Sequence, residues 1–371
     1  MIEILEVKTQ KDIKEFIDLP FKIYKGDKYW IPPLKNDEKK MFSPDTNPEL
    51  GYCDTQFWLA KDNDKTVGRI ITMINNKYNE KVNKAYSRFF KFECTNEEVG
   101  DQLLLFAEKW AKDKGATHIH GPLGFSNLDN QGLLIEGYEY LPSIASTYNK
   151  KFYQNVFDKL NYQKENDWVE FILYPEQHIE DRVLKLNETI KKRYNLIVNS
   201  FKKNQELKPY IPQVLKVLNE AFADLPYVVP FDDKTGSYYI EKYFSLLNPN
   251  LVKIITNAEG EAVAFIVGLP SLSKAMQKAN GKLSPWGIYH IFKAIKHPKV
   301  VDLALTAVLP QLQRQGVAAV LITELQKELI RYGVKEVETT GIFEINTQAI
   351  QTWKNFKHIQ HKRRRCYVKE L

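Results

Sequence analysis

The chain is predicted to fold as two α/β units in tandem, and three observations predict it. Its 371 residues suffice for two domains of ordinary size. Segments with strand and helix periodicity alternate along the whole length. The order of those segments in residues 1–175 then recurs in residues 182–371. The composition agrees: 43% of residues are hydrophobic and 12% aromatic, enough to bury real cores. The net charge of +7 suits an anionic ligand but is too small an excess to argue for nucleic acid. Cys53, Cys94 and Cys366 lie far apart without metal-ligand or CxxC spacing, so a reducing compartment without disulfides is expected. The seven histidines show no metal spacing. His118-x-His120 alternates on a strand with no carboxylate or cysteine nearby in sequence, so no metal site is expected. Met1–Glu6 alternates like a strand rather than a signal peptide. No apolar run approaches the roughly 18 residues of a membrane span. The expectation is a soluble, cytoplasmic protein, monomeric or homodimeric, with peripheral membrane contact left open.

In the first half, Ile2–Val7 reads as a strand. Lys11–Leu19 reads as a helix that Pro20 should end. Tyr29–Leu34 is extended. Strands follow at Phe57–Lys61 and Thr66–Ile74, joined by Asp62-Asn63-Asp64, and at Ser87–Phe92. A helix spans Glu97–Lys114, with Gly115 where a C-cap glycine belongs. A strand at His118–Gly121, a helix at Lys151–Leu160 and a strand at Trp168–Leu173 close the half. The second half opens with a charged helix, Asp181–Arg193. A strand at Leu196–Ser200 and helices at Ile211–Ala223 and Tyr238–Leu247 follow. Strands Leu251–Thr256 and Ala262–Val267 flank the hairpin turn Asn257-Ala258-Glu259-Gly260. After an insert come a strand at Val300–Ala307, a helix at Val317–Tyr332 and a strand at Lys335–Glu344. A helix at Thr347–Phe356 and a strand at Arg364–Lys369 end the half.

The most informative stretch is Val308-Leu309-Pro310-Gln311-Leu312-Gln313-Arg314-Gln315-Gly316-Val317-Ala318. An apolar strand runs through it into an amphipathic helix. Gly316 and Ala318 leave no bulk over the first helical turn. The free N–H groups there, and the helix dipole, favour an anion. Arg314 adds a positive charge, and Gln313 and Gln315 add donors. The corresponding first-half junction, Thr95-Asn96-Glu97-Glu98-Val99-Gly100-Asp101, fits a capping box with acids in the first turn. Those acids satisfy the dipole themselves and would repel a pyrophosphate.

This spacing resembles the acyl-CoA-binding signature of the GNAT superfamily of N-acetyltransferases: Val308, Pro310, Gln313, Gly316 and Ala318 stand at its anchors. The duplicated element order is similar to that of a tandem GNAT protein. The resemblance implies two GNAT-like domains, 1–175 and 182–371, each a mixed, mostly antiparallel sheet flanked by helices. It implies acetyl-CoA or another acyl-CoA held by Ala307, Val308, Gln313, Arg314, Gln315, Gly316, Val317, Ala318 and Asn346. Asn346 also reads simply as a helix N-cap. The first half would be a degenerate copy on the acceptor side.

Transfer to an amine needs a base, a polarised thioester carbonyl and an acid for the departing thiolate. Asp302, Glu338 and Glu344 lie on the strands that would flank the thioester, and on an unbulged strand Glu338 and Glu344 share a face. Each also reads as a solvated strand charge. Many GNAT enzymes place the acidic tyrosine on the helix after the second of these strands; here Trp353 stands there. Tyr367 is a fallback donor. Tyr153 fits the tyrosine slot, but in the half that lacks a cradle. The segment Gly121–Tyr153 is rich in glycine, small polar residues and aromatics. It reads either as an acceptor-binding loop using Ser126, Asn127, Asp129, Asn130 and Tyr153, or as a loop held by its own glycines and Phe125.

Leu269–Lys299 is an insert. Its helix Pro285–Lys296 is apolar on most faces and reads as core, as an interface between halves, as a cover for a long acyl chain, or as a membrane-surface element. The basic run His361-Lys362-Arg363-Arg364-Arg365 reads as a solvated strand end, or as a contact for the adenosine 3′-phosphate or a nucleic acid. Three functions follow from the resemblance. The leading one is an acyl-CoA-dependent N-acyltransferase (acetyl or longer acyl) acting on a small-molecule or peptide amine. The second is a non-catalytic CoA-binding or interaction protein, suggested by the missing tyrosine. The third is an aminoacyl transferase like the Fem peptidyltransferases, which also pair two such halves.

Overall fold

A computed structural model describes residues 1–353 and 355–371. Lys354, inside the helix expected at Thr347–Phe356, lies outside the described residues. The first half runs β1 (Ile2–Glu6), α1 (Gln10–Ile23), α2 (Lys35–Lys40), β2 (Cys53–Asp62), β3 (Lys65–Asn75), α3 (Asn76–Val82), β4 (Tyr86–Cys94), α4 (Glu97–Asp113), β5 (His118–Gly121), β6 (Leu133–Glu136), α5 (Tyr153–Lys159) and β7 (Gln163–Tyr174). The second runs α6 (Asp181–Arg193), β8 (Ile197–Ser200), α7 (Ile211–Ala221), α8 (Asp233–Phe244), β9 (Val252–Thr256), β10 (Ala262–Pro270), α9 (Ser273–Ala279), α10 (Pro285–Lys296), β11 (Val300–Val308), α11 (Val317–Tyr332), β12 (Glu336–Thr339), β13 (Ile342–Phe343), α12 (Thr347–Trp353) and β14 (Lys357–Glu370).

One sheet carries both halves, in the order β1-β2-β3-β4-β5-β14-β7-β12-β11-β10-β9-β8. The order is its own mirror. Five strands of the first half and five of the second flank a central pair, β14 and β7. Each central strand ends one half and pairs with the fifth strand of the other, β14 with β5 and β7 with β12. The last strands are thus exchanged between the halves. Among the described residues only β4·β5 and β11·β12 pair in parallel; the rest of the ladder is antiparallel.

Helices cover the sheet because their apolar stripes must be buried. Val317, Val320, Leu321, Leu325 and Leu329 of α11 lie in the second-half core. Val99, Leu103, Leu104, Ala107, Trp110 and Ala111 of α4 fill the first-half core. The helix expected to stop at Pro20 instead continues to Ile23, with Pro20 inside it. An interior proline costs about 3 kcal/mol. Burial of Phe16, Ile17, Leu19 and Pro20 itself offsets that cost.

Two further elements depart from the sequence reading. The strand expected over Lys335–Glu344 breaks into β12 and β13, because β12 leaves β11 after Thr339. Glu338 and Glu344 therefore do not share a strand face. The basic run expected as a strand end is the middle of the 14-residue strand β14. His361, Lys362 and Arg364 are buried, and Arg363 and Arg365 pair with Asp167 of β7. The run is consumed inside the sheet and offers no free face to a phosphate or a nucleic acid.

Candidate active site at the second parallel strand pair

β11 and β12 run side by side from Val300 and Glu336 to Leu303 and Thr339. The Thr340 N–H still reaches the Leu303 carbonyl at 3.2 Å. Beyond it the strands part, while β11 continues to Val308 with β10 on its other edge. At the far end of β11 the chain makes a 3-10 turn over Pro310–Leu312 and then enters α11.

The entry to α11 has an anion-ready form. Arg314 (φ 61°) and Gly316 (φ 83°) are left-handed, and Gly316 is the N-cap. No side chain caps this end, and its first turn holds no acid. The amides of Val317, Ala318 and Ala319 precede the first helical bond, from Val320 to the Gly316 carbonyl. Arg314 is exposed beside them, its Nε 3.5 Å from Gln348 Oε1. The glutamines are spent on the loop itself: Gln313 donates to the Val308 carbonyl and Gln315 to the Gln311 carbonyl. Ala307, Val308 and Val317 are buried beneath. Asn346 caps α12, accepting from the Ala349 N–H at 3.1 Å. The free amides and Arg314 fit a pyrophosphate.

The first-half counterpart is filled. Asn96 caps α4, and Glu97 and Glu98 occupy its first turn. The Tyr153 hydroxyl accepts from the Cys94 N–H and donates to Glu93, which also accepts from Tyr24. Tyr153 is completely buried there, apart from the other four residues of the predicted acceptor loop. Tyr367 is likewise in the first-half core, stacked on Phe157 at 4.6 Å.

Asp302 and Glu338 come together as register partners at the apex of the divergence. A register shift in β14 between Gln360 and Lys362 turns two successive side chains to one place. His361 Nε2 (3.0 Å) and Lys362 Nζ (2.9 Å) both reach Glu338 Oε1. His361 Nδ1 faces the Glu170 carbonyl at 3.1 Å. A carbonyl only accepts, so Nδ1 carries a hydrogen. Nε2 then meets both Glu338 Oε1 and, at 3.0 Å, Lys362 Nζ, so the lysine can donate to the imidazole and to the carboxylate. Glu170, fully buried, accepts from Arg364 Nε and Ser146. Burial alone would raise its pKa, but the Arg364 and Lys362 charges hold it below the usual range.

Asp302 is the odd member. It is buried, and neither carboxylate oxygen has a hydrogen-bond partner. Burial first, then the Glu338 charge, push its pKa well up. Asp302 is therefore a neutral acid beside the Glu338 carboxylate that Lys362 pairs with. The sign of the pH dependence follows. An acid whose folded pKa is raised stabilises the fold below its unfolded value near ~4, and that contribution is lost as pH climbs toward the folded value. Asp302→Asn, which mimics the neutral form, should flatten the fall of Tm with rising pH. A scanning-fluorimetry series over pH checks this. A uniform Tm loss at every pH would show that Asp302 is not held neutral.

A loop of the first half roofs this cluster. Leu141 accepts from Lys362, Tyr140 packs edge-on against the His361 ring at 5.3 Å, and Ser146 binds Glu170. The other residues of the predicted acceptor loop stand next to it. Asn130 donates to the Ser146 carbonyl and so ties the roof down. Ser126 donates to Tyr239 of α8 at 2.6 Å, and Asp129 lies 4.0 Å from Lys242. Asn127 Oδ1 is buried and unpartnered. Glu49, which accepts from Tyr239, is pushed up to about 8 by burial and by the Asp129 charge. Glu344 stands outside the cluster, paired with Arg363 and Lys164.

Sequence reasoning missed His361, Lys362, Glu170 and Arg364. The available signal was a row of acids, Glu165, Asp167 and Glu170, on the strand that pairs with the basic run. It likewise missed Glu165 and Cys366, which the exchange of strands brings to His120, with His120 Nδ1 3.0 Å from Glu165. Two triads, His120–Glu165–Cys366 and Glu170–Glu338–His361, hold their donor atoms within 4.8 Å. In the second, the Lys362 ammonium already supplies the cation.

A mixed sheet that diverges between two parallel strands, followed by an open helix N-terminus, defines a class. Residues 214–357 match the Acetyltransferase (GNAT) family. That match falls wholly within the second half of the chain. Over 98% of its length it is 27% identical to Protein YghO of Escherichia coli (strain K12), covering 94% of that protein. It is 22% identical over its full length to the Bacterial ceramide synthase of Caulobacter vibrioides, covering 98% of it. Among solved structures, a tandem GNAT protein from the clavulanic acid biosynthesis pathway aligns over the whole chain and 98% of its own, with TM-score 0.56 and 12% identity. A GCN5-related N-acetyltransferase from Sphaerobacter thermophilus covers the whole chain and 95% of its own, with TM-score 0.51 and 12% identity.

Proposed function

We propose that the protein is an acyl-CoA-dependent N-acyltransferase whose acceptor is a long-chain amine. The second half, 182–371, binds the acyl-CoA, and the first half, 1–175, supplies the roof over the acceptor. One observation carries the reading: an acid-free helix N-terminus and a buried Asp302–Glu338–His361–Lys362 cluster stand at opposite ends of one strand, β11, and of the gap beside it.

The acyl thioester, when bound, supplies the activated carbonyl. The α11 amides and Arg314 hold its pyrophosphate. The Glu338–His361 pair takes the proton that the amine must lose, and the Lys362 ammonium stabilises the charge on Glu338. Asp302, neutral, supplies the proton for the departing thiolate, a part the buried Trp353 cannot play. Two carboxyls with opposite protonation thereby serve as acid and base. A ceramide is the amide of a fatty acid and a long-chain amino alcohol. The name of the Caulobacter relative, aligned end to end with this chain, supports that acceptor class and a long acyl group.

The test is amide formation followed by mass spectrometry. Palmitoyl-CoA with a long-chain amino alcohol should give amide and free CoA. Turnover confined to acetyl-CoA with water-soluble amines would overturn the acceptor class. No turnover with any pair, alongside measurable CoA binding, would favour a non-catalytic CoA-binding protein.

A further inference from the structure

Large hydrophobic side chains are exposed at twelve described positions, and five fall within ten residues: Leu283 (53%), Trp286 (75%), Ile288 (53%), Tyr289 (52%) and Phe292 (63%). Scattered exposure of this kind is ordinary, but a cluster marks a contact surface. The cluster is the outer face of α10 and its entry. Ser284 caps the helix by accepting from the Gly287 N–H, and Pro285 occupies its first turn. The inner face rests on α9, where a side chain at Gly287 would meet Ala279 at 3.2 Å.

α9 is itself fixed to the first half. Gln277 donates to the Lys28 and Trp30 carbonyls, and Ser273 donates to the Pro142 carbonyl of the roof over the cluster. α10 is therefore carried on a rigid platform with its aromatic face turned outward. The charge along its own segment of chain has one sign. Between Ala262 and Val301 there is no acid. Lys274, Lys278, Lys282, Lys293, Lys296 and Lys299 are all exposed, and among the described residues none forms an ion pair. Among the described residues no helix is long and apolar enough to cross a membrane, and at 12 residues α10 spans only about 18 Å.

We propose that α10 is a membrane-surface anchor that lies flat in the interface of an anionic bilayer. Trp286, Tyr289 and Phe292 enter the headgroup–acyl boundary, and the surrounding lysines meet lipid phosphates. Charge complementarity selects the occupant. A second copy would bring the same six lysines face to face, and an apolar protein partner would leave them without a counter-charge.

The experiment is cosedimentation of the full chain with vesicles of phosphatidylcholine alone or mixed equally with phosphatidylglycerol. Binding is expected to the mixed vesicles and to weaken with salt. Trp286→Ser with Phe292→Ser should weaken partitioning about tenfold. Lys293→Glu with Lys296→Glu should weaken it on the anionic vesicles only. Acyl-CoA affinity, read by calorimetry, should be unchanged in both variants, which shows the fold intact and keeps this test separate from the proposed reaction. Equal vesicle binding by the serine variant overturns the proposal. So does a dimer in sedimentation velocity that the serine variant dissolves while the native chain ignores vesicles.

Discussion

Glu338→Gln is expected to lower kcat by about two to four orders of magnitude, the usual contribution of a positioned general base. The geometry explains why this residue should matter most. Its Oε1 is the common partner of His361 and Lys362, so the substitution removes both the proton's resting place and the charge that Lys362 stabilises. The affinity for acyl-CoA should hold, because the α11 amides and Arg314 lie at the other end of β11. Stability will fall as well, since Lys362 is left buried without its counter-ion, at a cost of roughly 3–5 kcal/mol. His361→Gln separates the two effects. It keeps the Glu338–Lys362 pair, so it should fold nearly as well as the native chain and still lose most of kcat. If His361→Gln turned over normally while Glu338→Gln merely unfolded, the cluster would be structural.

Much of this arrangement was legible in the sequence, and the reason lies in how local the signals are. The strand–turn–helix at Val308–Ala318, the hairpin at Asn257–Gly260 and the bounds of Pro285–Lys296 each rest on spacing within about a dozen residues. So does the contrast between Glu97–Glu98 and the acid-free start of α11. The exchange of β7 and β14 has no such signal. A strand's neighbour about 200 residues away is fixed by which edges remain free once both halves have formed. Everything that depends on the exchange was misread in consequence. His361 and Lys362 resembled a solvated tail because their partners, Glu338 and Glu170, belong to other strands. The surface face of α10 was ambiguous for a different reason. A short helix that is apolar on most sides has the same periodicity whether it is buried or lies against lipid. Only the positions of α9 and the first half decide which side is left over.

Gly316→Glu should abolish measurable acyl-CoA binding, a loss of about a hundredfold or more. Two effects act together. A side chain at φ 83° carries a cost of roughly 1–2 kcal/mol, and its Cβ would stand 2.6 Å from Ile190 Cδ1. The carboxylate would also lie over the amides that an anion needs, reproducing in α11 the condition that Glu97 and Glu98 create in α4. Gly316→Ala separates them, since it brings the same Cβ and the same backbone strain without the charge. Ala should therefore lower Tm about as much as Glu while keeping most of the affinity, and calorimetric titration with acetyl-CoA and palmitoyl-CoA reads both. If Ala and Glu weakened binding equally, the glycine would serve only the packing of α11 on α6. If Glu alone is blind to both ligands, the open helix end is the anion site. The ratio of the two native affinities then reports how far the cleft accommodates a long chain.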